Sequence, residues 1–266
     1  MAPALKSRWY SVGEPSGEMA ADIRVNLDRV RERITAAARR ANRTPEEVTL
    51  VVVTKTHPPE VVRQVLACGV RHVGENRLGE LEAKRQQVER IVPDDLPAPI
   101  WHMVGHVQSR KAARAVQVAD MIESVDSRKL ARRLDRLAAE AGRRVPVLLQ
   151  VNVSGEESKY GWSASAWEEN SDEREAMRAW VAAVLDCRQL EVQGLMTMAP
   201  WTADEGAVRA VFQSLRRLGD WLRDEFPASD WRHLSMGMSD DYEIAIEEGA
   251  TLVRIGRAIL GPRIEA

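Results

Sequence analysis

The residue with the clearest chemical potential is Lys55, which follows an apolar run. In TLVVVTKTHPP (49–59), four apolar residues precede Thr54 and Lys55, and two prolines follow that can end a strand and open a helix. A lysine amine attacks a carbonyl carbon when burial or a nearby positive charge lowers its pKa. A lysine at a strand end is also compatible with an ordinary surface position, with its stem on apolar neighbours and its charge in water.

Two glycine-containing segments near the carboxyl terminus could hold an anion. In LSMGMSDDYEIAIEEG (234–249), small residues precede a predicted helix for which Ser239 is a good N-cap, and RIGRAILG (254–261) repeats the arrangement around Gly256. Glycine lets backbone N–H groups approach an anion closely, and helix amino termini favour negative charge. Arg257 could add a charge-assisted bond to phosphate, or lie exposed at a helix start.

Together these residues suggest a ligand with a phosphate at one end and a carbonyl at the other. Lys55 would form a Schiff base with the carbonyl, and Arg254 would supply positive charge near the amine. This chemistry requires that the two parts of the chain, about 200 residues apart in sequence, end on neighbouring strands.

The elements that would position them alternate regularly. Amphipathic stretches separate eight short apolar runs, as expected for parallel strands joined by helical crossovers. The runs are 49–55, 70–76, 100–106, 121–126, 145–153, 192–198, 231–237 and 251–256.

Eight such units predict an α/β fold, a single (β/α)₈ TIM-type barrel of parallel strands. Active sites of this fold lie at the carboxyl ends of the strands, and its phosphate sites lie in the loops after strands seven and eight. Strand eight closes against strand one, so the two glycine segments and Lys55 would share one mouth. A doubly wound open sheet is the alternative fold.

Bulk composition narrows the class of protein. The 266 residues are 44% hydrophobic and 29% charged, with a formal net charge of −2, which gives no general attraction to nucleic acid. No apolar run is long enough to span a bilayer, and two cysteines cannot form a disulfide framework. We expect a monomer in a reducing cytoplasm, with residues 1–20 as a disordered leader and 21–266 as one domain.

Several motifs carry a resemblance to a known family. They are VTKTHP around Lys55, GENR at 74–77, WHMVGHVQSRK at 101–111, SKYGW at 158–162, GLMTM at 194–198, LSMGMSDDYEIAIEEGAT at 234–251 and VRIGRAILG at 253–261. Taken in this order, the motifs resemble those of the pyridoxal 5′-phosphate homeostasis proteins. The resemblance covers nearly the whole chain from about position 20 to the carboxyl terminus.

The resemblance implies a barrel like the N-terminal domain of alanine racemase, with pyridoxal 5′-phosphate (PLP) as cofactor. By matching positions, Lys55 would form the Schiff base, Asn76 would lie near the ring face, and Arg254 would face the pyridine nitrogen. Ser235, the backbone of Met236, Gly256 and Arg257 would hold the phosphate. Many family members have threonine where this chain has Arg257, so that side-chain contact departs from the family pattern.

The resemblance also implies PLP homeostasis and amino-acid balance without robust turnover, with apo PLP-dependent enzymes as conceivable recipients. A racemase needs a second acid–base group opposite the lysine, and the three tyrosines, Tyr10, Tyr160 and Tyr242, suit a leader, a loop and a packing position. A PLP-dependent racemase-like or decarboxylase enzyme is the alternative function, and a lysine-dependent aldolase on a sugar phosphate is a second.

A pair of histidines and a second lysine could also contribute to a site. His102 and His106 are four residues apart but lie on a strand and its following loop rather than on one helical face, and no acidic ligand set accompanies them. We therefore predict no metal site and a hydrogen-bonded core role for His102. Lys159 in SKYGW is either an exposed loop lysine or, as the resemblance suggests, a second cofactor contact that passes PLP on.

Overall fold

A computed structural model of the protein describes residues 17–202 and 204–262. Most of the predicted leader, residues 1–20, lies outside the described residues, and the first helix begins at Gly17. The described parts form one closed barrel surrounded by helices, so the predicted TIM-type architecture is confirmed.

Eight parallel strands close the barrel in the order β4-β3-β2-β1-β9-β8-β7-β5, with β5 returning to β4. A ninth strand, β6, has two residues, which pair with Val151 and Asn152 at the carboxyl end of β5. The strands are β1 Thr49–Val53, β2 His72–Glu75, β3 Ile100–Met103, β4 Met121–Val125, β5 Val145–Asn152, β6 Trp162–Ser163, β7 Leu190–Met196, β8 His233–Ser235 and β9 Leu252–Ile255.

Helices fill the crossovers on the outside of the barrel. Their bounds are α1 Gly17–Arg40, α2 Pro59–Ala67, α3 Leu78–Ile91, α4 Ala112–Val118, α5 Arg128–Glu140, α6 Ser171–Leu185, α7 Glu205–Glu225, α8 Tyr242–Glu247 and α9 Arg257–Leu260.

Local sequence explains where several helices begin. Pro59 opens α2 at its first position, where a missing N–H costs nothing. The Ser127 side chain caps α5 by accepting from Leu130 N at 3.3 Å, and Asn170 and Asp204 cap α6 and α7 in the same way.

The apolar core has two parts. The larger lies between strands and helices and includes the predicted face of α1, which is fully buried at Ile23, Leu27, Val30, Ile34 and Ala38. The smaller lies inside the barrel and consists of Val51, Met121, Leu148, Met196 and Leu252. Because side chains alternate along a strand, the residues two positions beyond Met121 and Leu252, namely Glu123 and Arg254, also point into the barrel.

All eight predicted barrel strands exist, with differences at their ends. The sixth begins at Leu190, two residues before its predicted start, and β6 was not predicted at all. The prediction that Ser239 caps the helix after β8 is wrong. That helix begins at Tyr242, and Ser239 Oγ instead accepts a hydrogen bond from Ala258 N at 3.3 Å.

Candidate functional site

Lys55 lies in a tight turn between β1 and α2. It is half-buried, and its neighbour Thr54 is fully buried. Thr56 has a φ of 66°, a left-handed conformation that is rare for a β-branched residue. Such a conformation costs about 1–3 kcal/mol and persists only when surrounding contacts enforce it.

A buried ammonium group enforces this turn. Lys84 of α3, which is 5% exposed, donates to Thr54 O at 2.5 Å, to Glu75 Oε1 at 2.7 Å and to Glu80 Oε1 at 2.8 Å. Glu80 Oε1 in turn accepts from Thr56 N at 2.5 Å. Thr54 and Thr56, on either side of Lys55, are therefore held by one charge cluster.

Burial controls protonation in this cluster. It raises the pKa of Glu75, although Lys84 acts in the opposite direction. Glu75 Oε1 accepts from Thr54 Oγ1 at 2.6 Å, whereas Glu75 Oε2 is buried with no hydrogen-bond partner among the described residues. His57, in the same turn, has its pKa lowered by burial and by the positive charge of Lys84.

Asn76 follows β2 and is exposed at the same end of the barrel. Gly105, in the loop after β3, packs against its backbone: a Cβ added to Gly105 would lie 2.1 Å from Asn76 O. Only a glycine lets the two loops approach this closely.

Arg254 and Ser235 meet inside the barrel. Arg254 Nη1 donates to Ser235 Oγ at 2.5 Å, and Nη2 donates to Thr197 O at 2.8 Å. Ser235 Oγ donates its proton to Glu123 Oε2 at 2.6 Å, and Glu123 lies 3.9 Å from Arg254 Nη1. Both predicted residues are thus next to each other, but the Ser235 hydroxyl proton is directed to a carboxylate.

The charges of this buried group are coupled. Burial raises the pKa of Glu123, but hydrogen bonds from His102 and Ser235 and the charge of Arg254 outweigh it, so the net direction is down. Burial lowers the pKa of Arg254, against the influence of Glu123 and Asp241. A guanidinium stays protonated in proteins, so the pair is an ionised carboxylate facing a cation.

The two glycine segments lie side by side, as predicted. Met236 N donates to Leu252 O at 3.1 Å in the sheet, so its N–H already has an acceptor. Arg257 is exposed, and its Nη2 contacts Asp240 Oδ2 at 2.5 Å, which joins the loops after β8 and β9. The Arg257 side chain therefore pairs with a carboxylate of the neighbouring loop.

Gly256 brings the second segment against the end of β1. A Cβ on Gly256 would lie 2.9 Å from Val53 O, two residues before Lys55. The strand pairing β1–β9 produces this contact, since Val52 is in register with Ile255. The predicted adjacency of strands one and eight of the barrel is confirmed.

Lys159 is held in the long loop after β5. Its Nζ donates to Met198 O at 3.2 Å and lies 3.3 Å from Glu156 Oε1. The next residue, Tyr160, is 58% exposed and stacks on His106 at 4.3 Å between ring centroids. His106 Nδ1 is 2.9 Å from Asp126 Oδ2.

Comparisons with known proteins identify relatives over most of the chain. The family described as alanine racemase, N-terminal domain, matches residues 25–263. A pyridoxal phosphate homeostasis protein of Pseudomonas aeruginosa is 40% identical over 241 residues, covering 91% of this chain and 96% of the relative. One of Aquifex aeolicus is 38% identical over 237 residues, covering 89% and 96%. The chain belongs to the pyridoxal phosphate homeostasis protein family.

Solved structures give the same result for the fold. PipY from Synechococcus elongatus PCC7942, solved with PLP bound, has a TM-score of 0.75 and 34% identity, and the match covers 90% of this chain and 100% of PipY. Alanine racemase from Clostridium difficile has a TM-score of 0.66 at 15% identity, and 59% of its chain is covered. At that identity the likeness shows the barrel fold that the family shares with racemases.

Sequence reasoning missed the residues that support the site. Glu123 lies in the middle of an apolar run, and a buried carboxylate needs partners, so its position was a usable signal. Lys84 is four residues after Glu80, a spacing more often found on exposed helix faces. His102 is buried and hydrogen-bonded as predicted.

Among the described residues, no helix is both long and apolar enough to cross a membrane.

Proposed function

We propose that this protein binds PLP at the carboxyl end of the barrel, holds it as a Schiff base on Lys55, and serves PLP homeostasis without robust catalytic turnover. The proposal is supported by the names of the relatives and by the PLP bound in PipY. The observation that carries it is the convergence of the Gly256 turn with the end of β1, two residues before Lys55.

The residues present fit the cofactor's phosphate end. The close approach of Gly256 to Val53 O leaves no room for a Cβ. The backbone N–H groups of Gly256 and Arg257 would face the phosphate, whereas Ala258 N already donates to Ser239 Oγ. Ser235, Met236 and Arg257 remain predicted contacts. Their O–H, N–H and guanidinium groups already have other partners, so we expect the main phosphate donors to be backbone N–H groups of the two loops.

Arg254 is suited to bind the pyridine ring of the cofactor. A guanidinium has five N–H groups, and the bonds to Ser235 and Thr197 account for two of them. Arginine can only donate, so a pyridine nitrogen facing it stays an unprotonated acceptor. PLP supplies an electrophilic aldehyde and an electron-withdrawing ring, and an unprotonated ring is the weaker electron sink. This favours binding over turnover.

Lys55 is pre-positioned for the Schiff base. The cluster around Lys84 fixes Thr54 and Thr56, which restricts where the Lys55 side chain can point. Asn76, held by Gly105, would lie beside the ring. A monomeric cytoplasmic protein in which 21–266 act as one domain completes the proposal.

Borohydride reduction followed by peptide mass analysis tests the proposal. We expect the reduced phosphopyridoxyl group on the peptide that carries Lys55, and no label in Lys55→Ala. Lys159→Ala is the matched control, because it removes another partly buried lysine of the same barrel face, and it should label normally. A label on another lysine, or a colourless protein with no label, would refute the Schiff base; the colourless outcome fits the aldolase alternative.

The racemase-like alternative is favoured by one observation, the match to the alanine racemase N-terminal domain. Exchange of the α-proton of L-alanine in deuterated water distinguishes the two. Exchange at turnover rates that Lys55→Ala abolishes would support the enzyme, whereas exchange near the rate of free PLP supports a binding protein.

Transfer of PLP to apo-enzymes is a further part of the proposed role. Lys159 Nζ binds Met198 O and lies near Ser154 Oγ at 3.5 Å, so its side chain tethers the loop after β5. We expect Lys159→Ala to keep the Schiff-base absorbance and slow transfer to an apo-enzyme. Unchanged transfer kinetics would remove Lys159 from the proposal.

A further inference from the structure

A continuous line of hydrogen-bonded side chains crosses the barrel interior. His72 Nδ1 lies 2.9 Å from His102 Nε2, and His102 Nδ1 lies 2.6 Å from Glu123 Oε1. The other oxygen of Glu123 accepts from Ser235, which accepts from Arg254. His72 begins β2 and is half-buried, so the line runs from the amino end of the barrel to the arginine at the ligand end.

The chemistry of Glu123 and Arg254 fixes the direction of the bonds that they make. An ionised carboxylate only accepts and a guanidinium only donates. His102 Nδ1–H and the Ser235 hydroxyl must therefore both donate to Glu123, and the Ser235 oxygen must receive an N–H from Arg254. Between His72 and His102, one ring nitrogen donates and the other accepts. Burial lowers the pKa of His72 to about 4, consistent with a neutral ring.

The same bonds hold Arg254 in one orientation. One terminal nitrogen is bound to Ser235 Oγ and the other to Thr197 O. Because a guanidinium is planar, two fixed nitrogens define its plane. The Ser235 oxygen can accept from Arg254 only while its own proton is turned towards Glu123.

We propose that Glu123 is a positioning residue for Arg254, and that His102 holds Glu123 in place. Through Ser235, the carboxylate aims the guanidinium at the position of the ligand's ring nitrogen and balances its charge in the water-excluded interior. This inference rests on the proposed function, in which Arg254 faces that nitrogen. It assigns Glu123 and His102 a role in recognising the ring rather than in folding alone.

The test compares two ligands that differ at one ring atom. They are PLP and 1-deazapyridoxal 5′-phosphate, in which a C–H group replaces the pyridine nitrogen. A hydrogen bond to a charged donor discriminates by roughly tenfold to a hundredfold, so the wild-type protein should bind PLP more tightly by that ratio of Kd values. In Glu123→Gln, the ratio should fall to about threefold or less, because the amide N–H group competes with the donors His102 and Ser235.

Glu75→Gln is the matched control, since Glu75 is likewise a fully buried glutamate on a barrel strand with hydrogen-bonded partners. It lies beside the Lys55 turn, so it should change binding of both ligands equally and keep the wild-type ratio. A Glu123→Gln ratio equal to that of the wild type would overturn the positioning role while leaving the proposed function intact. A wild-type ratio near one would instead remove the Arg254 contact itself.

A second pair of variants covers the case in which Glu123→Gln does not fold. Asparagine places an amide N–H near the position of Nδ1, so His102→Asn can still donate to Glu123, whereas His102→Leu cannot. We expect His102→Asn to keep the preference for PLP and His102→Leu to lose most of it. Equal ratios in these two variants would overturn the proposal.

Discussion

Replacing Lys84 with methionine tests how the turn at Lys55 is held. Lys84 is 5% exposed and its ammonium contacts three oxygens within 2.8 Å, two of them from the carboxylates of Glu75 and Glu80. Methionine fills a similar volume without charge. Removing one partner of a buried ion pair costs about 3–5 kcal/mol, because the remaining charge is buried alone.

The structure places the cost at the lower end of this range. Burial already raises the pKa of Glu75, so in Lys84→Met this carboxyl can take up a proton instead of staying charged. We expect the free energy of unfolding at pH 7 to fall by about 3 kcal/mol. A group whose folded pKa is raised stabilises the fold at low pH and loses that effect as pH rises. The loss in Lys84→Met should therefore grow with pH above the ordinary range of a glutamate.

Lys84→Met should weaken Schiff-base formation at Lys55 more than it weakens non-covalent binding of the ligand. Thr56 keeps its left-handed φ of 66° through its bond to Glu80, which Lys84 positions. Relaxation of a conformation worth about 1–3 kcal/mol should lower the equilibrium for Schiff-base formation by about tenfold. Pyridoxamine 5′-phosphate, which has no aldehyde, should bind with an affinity changed less than about threefold.

Urea unfolding and absorbance titration with the two ligands measure these effects. Lys129→Met is the control, because Lys129 is an exposed lysine of α5 and its replacement should stay within about 0.5 kcal/mol of the wild type. The double variant Lys84→Met/Glu75→Gln should recover part of the lost stability. A loss below about 1 kcal/mol, or equal weakening of both ligands, would refute the reasoning.

Two further predictions concern two glycines, Gly105 and Gly79, and the histidine that begins β2. Gly105→Ala should destabilise the protein by about 1–3 kcal/mol and weaken PLP binding, because its Cβ would lie 2.1 Å from Asn76 O. A Cβ at Gly79, on helix α3, meets open space, so Gly79→Ala should stabilise the protein by about 0.5–1 kcal/mol. If urea unfolding showed that both substitutions change the free energy of unfolding in the same direction, the reasoning would be contradicted. Burial and the charge of His102 lower the pKa of His72 to about 4, from an ordinary value near 6.5. Between these pH values His72 therefore binds fewer protons in the folded protein than in the unfolded chain. Stability should fall as pH drops from about 6.5 to 4, with a shallower slope in His72→Asn; identical slopes would exclude the assignment.

The barrel was predictable because its signals are local. Eight apolar runs separated by amphipathic stretches specify alternating strands and helices, and Pro59 specifies where α2 begins. Strand ends were less predictable: β7 starts at Leu190 because pairing with Val145 of β5 extends it beyond its apolar run. The two-residue β6 exists because Val151 and Asn152, the last residues of β5, extend beyond the pairing with β7 and pair with β6 instead.

The cap at Ser239 failed for a tertiary reason. Ser239 is a favourable N-cap by composition, but its hydroxyl accepts from Ala258 N of the next loop, and the helix begins three residues later. A residue's intrinsic preference gave way to a contact between two loops that are neighbours only in the closed barrel.

The sequence by itself determined the order of the elements, the end of the barrel at which polar residues gather, and the family, since these depend on residue types and their spacing. Only the tertiary structure decided that Glu123 supports Arg254 through Ser235, and that Lys84 holds the turn that carries Lys55. Barrel closure and strand register set which side chains share the interior, and a buried charge is stable only where that register brings it a partner.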